Sequence, residues 1–293
     1  MSTFILILIT GVGLGALYFL VASGLSLIYG LMGVLNFAHG SFLTIGAFTG
    51  LWISTKIFPN PTTWTFIVSM LAGGIAAGLF ALLMEQLVIT RLYNRHIDQA
   101  LVTVGVSLVV TALIGGWFGF DPRFVPTPLW FMNAVTIGDA IIPIDRFIYI
   151  GVAALLLIAM LSILKFTRIG LIIRAGVENR SMVTALGINV RLAFSTVFFI
   201  GGFAAGVGGV LISVFSYGVS PLMGGSWLIY GFIVVVVGGM GSVAGSAIAA
   251  MLIGITNQFA NYYVTGLGDF VVVIILATVL LTKPTGLLGK VSH

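Results

Sequence analysis

The side chains able to do chemistry are few, and most are of the wrong kind for catalysis. The 293 residues hold no Cys and three His, at positions 39, 96 and 293. Zero Cys excludes disulfides, thiolate-bound metal and thiol nucleophiles. Three scattered His have no second ligand of suitable type near them, so no metal site is expected. A serine hydrolase of the Gly-x-Ser-Gly kind lacks its motif, and His96 and His293 fall in polar segments. Gly289-Lys290 is the only Gly-Lys pair, but Pro284 stands where a phosphate-binding loop needs its first Gly, and Val291 where it needs Ser or Thr. Gly239-x-Gly241-x-x-x-Gly245 has the wrong spacing for a dinucleotide loop. No cofactor and no nucleotide site are expected, and the chain is not expected to be an enzyme.

What remains is hydrogen bonding to a solute and docking to a partner. Asn36 and His39, at i and i+3, form the most polar cluster in the first two apolar runs. On a helix they share a face. Either they bond to a neighbour or to headgroups, or they line or gate a path where a helix breaks. Thr103, Ser107 and Thr111 repeat at i, i+4 and i+8, which serves interhelical hydrogen bonding or a polar stripe along a path. Glu85 is the one acid inside an apolar run, beside Gln86 and before Arg91. Near the end of its span it is expected to be an interfacial anchor. Asn257, Gln258 and Asn261 lie at an outer mouth or in the headgroup region. The segment 165–191 carries five basic residues and one acid. Its middle reads as a short amphipathic helix with apolar Met182, Val183, Ala185 and Leu186, started by a turn at Ser181 and stopped by Gly187. Such a helix lies along the membrane surface and docks on a partner.

The elements that position these groups follow from charge. Only 19 residues (12 Lys and Arg, 7 Asp and Glu) are charged, or 6%, and 60% are hydrophobic. A soluble domain carries roughly 25% charged residues. The mean hydropathy of +1.24 excludes a soluble enzyme, a disordered chain and a nucleic-acid-binding domain. Uncharged runs cover 1–55, 57–84, 99–120, 147–164, 192–268 and 270–282. They are continuously apolar, so helices and not barrel strands satisfy the backbone in lipid. The expected fold is all-α, a polytopic transmembrane helical bundle of eight to ten spans in a single domain over 1–293. The working spans are 4–30, 34–55, 64–89, 100–120, 147–164, 192–215, 227–242, 244–261 and 268–282. Several later ones are short for a full crossing and are expected to be broken or re-entrant.

Lys and Arg stay on the cytoplasmic side. With 165–191 inside, the inner side holds Arg91, Arg95, Lys165, Arg168, Arg174, Arg180, Arg191, Lys283 and Lys290. The outer side holds Lys56, Arg123 and Arg146. The N-terminus is then outside and the C-terminus inside, and the first run is expected to be a retained span, not a cleaved signal. Gly makes up 39 residues, about 13% against a usual ~7%. Small-residue pairs at Gly11/Gly15, Gly46/Gly50, Gly74/Gly78, Gly115/Gly119, Gly202/Gly206 and Gly241/Gly245 predict close helix packing. The runs at Gly201-Gly202 and Gly238-Gly239-Met240-Gly241-Ser242 are candidates for moving breaks.

Three segments resemble the permease subunits of branched-chain amino acid ATP-binding cassette (ABC) importers, and the LivH type more than the LivM type. They are Gly24-Leu-Ser-Leu-Ile-Tyr-Gly30 through Asn36-Phe-Ala-His39-Gly40 to Gly46, Arg174-Ala-x-x-Glu178-Asn with Ala185-Leu-Gly187-Ile-Asn-Val, and Gly238-Gly-Met-Gly241-Ser-Val-x-Gly245. The resemblance implies that Arg174, Glu178, Ala185, Leu186 and Gly187 belong to a coupling segment whose short helix fits a groove on an ATPase. It implies that Asn36 and His39 line or gate the path, and that Gly238, Gly239, Gly241 and Gly245 form a late, flexible glycine turn. Thr103 and Ser107 are the further path candidates. Ser41 stands where the family most often has an acid. Implied partners are two ABC ATPase subunits, a second related permease subunit, a periplasmic or lipid-anchored solute-binding protein and membrane lipids, with no nucleic acid. The implied place is a bacterial inner membrane. Cargo is a branched-chain amino acid or a similar neutral or zwitterionic solute, such as urea or a short amide. A secondary transporter or facilitative channel fits the composition equally well but leaves the amphipathic inner segment unexplained.

Overall fold

The computed structural model describes residues 2–33, 36–92, 95–185, 187 and 190–289. Among them are ten α-helices: α1 (Ser2–Met32), α2 (His39–Trp52), α3 (Thr63–Leu87), α4 (His96–Phe118), α5 (Ile144–Phe166), α6 (Arg168–Ala185), α7 (Val190–Phe215), α8 (Met223–Gly238), α9 (Val243–Tyr263) and α10 (Leu267–Thr282). One short antiparallel hairpin, β1 (Ala134–Ile137) and β2 (Ala140–Pro143), precedes α5. The chain is an all-α polytopic membrane bundle, as expected. α1, α3, α4, α5, α7 and α9 are long and apolar enough to cross a bilayer. α8 and α10, with 16 residues each, reach about 24 Å against a hydrocarbon core of about 30 Å. α2 has 14 residues and ends in a π turn, Ile53–Ile57.

Local chemistry sets the ends. Thr62 and Thr65 form a reciprocal cap on α3: the Thr65 N–H donates to Thr62 Oγ1 (3.2 Å) and the Thr62 N–H to Thr65 Oγ1 (2.9 Å). Ser242 caps α9 by accepting from the Gly245 N–H at 3.0 Å. Asn261 closes the α9–α10 turn, its Oδ1 accepting from the Gly266 and Gly268 N–H groups. Of the three polar residues expected at an outer end, Asn261 therefore has a structural task, and Asn257 is buried.

α1 and α7 form the centre: 67% and 78% of their apolar stretches are buried, against 17% for α4 and α5 at the edge. Glycine lets the central helices touch backbone to backbone. A Cβ at Gly11 would stand 2.7 Å from Ile255 Cα, and one at Gly15 2.7 Å from the Ala250 carbonyl oxygen, both on α9. One at Gly206 would stand 2.5 Å from the Gly73 oxygen. Gly115/Gly119 differs from the prediction, because Gly115 faces only Phe120 of the following loop and Gly119 has nothing within 4 Å.

Contacts between loops group the helix ends. Trp130 Nε1 donates to Thr63 Oγ1 at 2.8 Å, and Arg123 exchanges backbone bonds with Val219. Segments 58–62, 119–143 and 216–222 therefore share one end. Glu85 meets Ser195, and Gly30 meets Gly241, at the other.

Candidate functional site

Asn36 and His39 do not share a helical face, because the helix expected from residue 34 begins at His39. Asn36 sits in the turn before it. Its Oδ1 accepts from the Ala38 N–H at 3.0 Å, and its carbonyl accepts from the His39 N–H at 3.1 Å. An Asn at such a turn competes with the helix for backbone donors, which is why α2 starts late. His39 is fully buried, and its Nε2 lies 3.0 Å from the Val21 carbonyl of α1. That carbonyl can only accept, so Nε2 carries the proton. Val21 lies 11 residues before the end of α1, about 16 Å along its axis. α2 therefore begins part-way into the bundle, as a broken helix.

The start of α2 meets the start of another short helix. A Cβ at Gly40 would lie 2.6 Å from the Gly224 oxygen at the start of α8. The two N-termini, each the positive end of a helix dipole, thus converge. Thr103 joins them: its hydroxyl accepts from the Phe37 N–H at 3.2 Å. Ser107, one turn further along α4, is half-buried and makes no side-chain hydrogen bond among the described residues. The structure brings Asn36, His39 and Thr103 together and leaves Ser107 apart. Among the described residues, the amide nitrogen of Asn36, Nδ1 of His39 and the hydroxyl of Ser41 are all buried without a hydrogen-bond partner. Beside them a cavity of about 160 Å³ is walled by Leu25, Asn36, Phe37, Leu228, Ile229 and Phe232.

The segment 165–191 is helical over more of its length than expected. α6 starts at Arg168, not near Ser181, and runs to Ala185. Its start is set by Thr167, whose Oγ1 accepts from the Gly170 N–H at 3.0 Å. Gly187 follows α6 at φ +75°, a backbone conformation in which Gly alone avoids strain. Arg174 is exposed, while Ile173 and Val183 are buried, so α6 presents one face to the bundle and one away from it. Leu186 and the side chains of Glu178 and Ala185 lie outside the described residues.

The late glycine turn joins α8 to α9. Gly239 has φ +101° and Gly241 φ +86°. Residues 287–289 pack on this turn: the Leu287 and Leu288 N–H groups donate to the Val237 and Gly238 carbonyls at 2.8 and 3.0 Å. A Cβ at Gly239 would meet Gly289 Cα at 2.8 Å, and one at Gly238 would meet the Gly245 oxygen at 2.6 Å. All four glycines are needed for close approach or for backbone conformation.

Sequence reasoning read Glu85 as an anchor near the end of its span and did not see its partners: it is fully buried in the protein, accepting from the Ser195 hydroxyl at 2.7 Å and the Thr90 hydroxyl at 3.2 Å. A signal was present: Gly74, Gly78, Ala81 and Glu85 repeat on one α3 face, the face that packs on α7. Sequence reasoning also missed an aromatic group in the middle of α8, where Tyr18 stacks on Tyr230 at 5.0 Å and the Tyr230 hydroxyl donates to Asp269 at 2.8 Å. Arg146 lies 4.5 Å over the Phe215 ring. Nothing in the local sequence marked these pairs.

The family described as branched-chain amino acid transport system, permease component, matches residues 7–281. The chain is 30% identical over 291 residues to the high-affinity branched-chain amino acid transport system permease protein LivH of Escherichia coli K12, covering 96% of this chain and 94% of that protein. It is 27% identical to BraD, a permease protein of the same description from Pseudomonas aeruginosa, over 97% and 95% of the two chains. A probable LivH of Methanocaldococcus jannaschii is 27% identical over 92% and 88%. No solved structure matches.

Proposed function

The chain belongs to the family of branched-chain amino acid transport permease components, and from that premise we propose that it is the membrane subunit of an ABC importer in a bacterial inner membrane. Its cargo is a branched-chain amino acid, the solute printed in its relatives' names. ATP is hydrolysed by two partner ATPases, because this sequence has no phosphate-binding loop. The observation that carries the reading is α6. Its polar, basic helix sits at the inner end between α5 and α7, with Arg174 exposed and Gly187 closing it. A channel or a secondary transporter has no need of such an element.

The broken starts of α2 and α8 are the place for the path, since discontinuous helices turn their N-termini towards a solute's carboxylate. The unpartnered donor of Asn36 stands beside an apolar cavity, a pairing that suits an aliphatic zwitterion. Phe37 and Ile229 of that cavity are also exposed, so a second, related permease chain completes the path. A solute-binding protein delivers cargo to the outer segments. When nucleotide closes the ATPases, α6 moves, and α7 passes the movement to the helices around Asn36.

The test is uptake of radiolabelled leucine into proteoliposomes holding the permease complex co-expressed with its ATPases. Uptake is expected only with trapped ATP and with the ATPases present. Equal uptake by the permease alone overturns the reading in favour of a channel.

A further inference from the structure

Glu85 is the one carboxylate fully buried among the described residues, and the function proposed above gives it no task. Its surroundings are unusual. The α3–α7 interface is otherwise built from small residues and aromatic edges: Gly74 and Gly78 face Phe203 and Phe199, and a Cβ at Gly202 would meet the Ala77 oxygen at 2.8 Å. Contacts of that kind are not directional. Glu85 supplies a directional bond at the inner end. Along α3 it continues the row Gly74, Gly78, Ala81, and along α7 Ser195 continues the row Phe199, Gly202, Gly206. The Ser195 hydroxyl donates to Glu85 Oε2 at 2.7 Å. On the other side, Thr90 of the turn after α3 donates to both Oε1 (3.2 Å) and the main-chain oxygen (2.8 Å) of Glu85. Hydrogen bonds to a carboxylate in a low-dielectric interior are strong and short.

The position matters as much as the bond. Ser195 lies in the second turn of α7, and α7 follows α6 after Gly187. α6 also packs on α7 and on α5. α3 in turn packs on α2 through Gly73, whose Cβ would stand 2.6 Å from the Gly46 oxygen. A displacement of α6 therefore reaches α7 first, and α7 touches both α2, at Gly46/Gly206, and α3.

We infer that Glu85 is a positioning residue for transport: its bond to Ser195 makes the inner ends of α3 and α7 move as one, so that α3 follows α7 when α6 is displaced. This rests on α6 being the coupling segment. Without the bond, the inner end of α3 no longer follows α7 and hydrolysis proceeds with less transport.

The experiment measures leucine transported per ATP hydrolysed in proteoliposomes of the complete complex. The variants are Glu85→Gln, Ser195→Ala and the double variant, each normalised to assembled complex. Each single variant is expected to keep nucleotide hydrolysis and to lower the ratio about tenfold, the scale set by losing one charge-assisted hydrogen bond. The double variant should be no worse than the lower single, because Glu85→Gln removes the charge and Ser195→Ala the donor of one and the same bond. If Glu85→Gln does not assemble, Ser195→Ala decides alone. An unchanged ratio, or losses that multiply in the double variant, overturns the proposal. Gly187→Val separates the two readings. If it uncouples hydrolysis while Ser195→Ala does not, only the role of Glu85 falls. If Gly187→Val leaves coupling intact, both fall together.

Discussion

Gly46→Ala should destabilise the bundle measurably, and the size follows from three backbones meeting at one point. A Cβ at Gly46 would stand 2.7 Å from the Gly206 carbonyl carbon on α7, where carbon atoms pack at about 3.5–4.0 Å. α7 cannot retreat, because Gly206 is itself pressed against the Gly73 oxygen of α3, and Gly73 against the Gly46 oxygen. The three helices must part by about 1 Å, which forfeits up to about half of each contact they share. Overpacking of this kind costs about 1–3 kcal/mol, and a rigid three-way contact belongs at the upper end. Ala returns about 1 kcal/mol through its better helix propensity. The net loss of about 2 kcal/mol corresponds to a fall of roughly 4–8 °C in midpoint, at 2–4 °C per kcal/mol for a large domain. Thermal challenge of the detergent-solubilised chain followed by size-exclusion chromatography reads it. Gly105→Ala on α4 is the control: nothing lies within 4 Å of its Cβ position, so its midpoint should hold or rise. A Gly46→Ala protein as stable as the Gly105→Ala protein would refute the reasoning.

Asn36→Ala removes the acceptor for the Ala38 N–H and should cost about 1 kcal/mol, as loss of a helix-start acceptor does; leucine uptake should fall several-fold while the complex still assembles, and unchanged uptake places the path elsewhere. Gly239→Ala, at φ +101° and against Gly289, costs at least about 1–2 kcal/mol in backbone strain alone and should release residues 287–289. Faster proteinase K cleavage within residues 284–289 is the expected readout, and an unchanged rate shows that this segment is not held there.

The membrane bundle was legible in the sequence because lipid leaves few solutions: long uncharged runs must be helices. Gly11/Gly15, Gly74/Gly78 and Gly202/Gly206 were legible as packing points for the same reason, since only small residues permit such approach. The turn at Asn36 was not. An i, i+3 polar pair reads as one helix face, and only the side-chain bond to the Ala38 N–H shows that the backbone leaves the helix there. The length of α6 was misread because Lys165, Arg168 and Arg174 look like an ordinary basic loop, while the Thr167 cap is one hydroxyl among many. The partners of Glu85 were not seen because nearness to Gln86 and Arg91 was weighed above its place in the glycine row. Partners 110 residues apart in the chain, such as Glu85 and Ser195, carry no mutual mark in a single sequence.

The claim that the driving force enters through α6 is tested most directly by cross-linking. The natural chain has no Cys, so Arg174→Cys on the exposed face of α6 gives a unique thiol, and Lys56→Cys gives one at the opposite end of the bundle. With a short thiol-to-amine reagent applied to the assembled complex, the thiol at 174 should cross-link to an ATPase subunit and the thiol at 56 should not. Cross-linking from 56, or none from 174 in a complex that still transports leucine with ATP, would contradict the account.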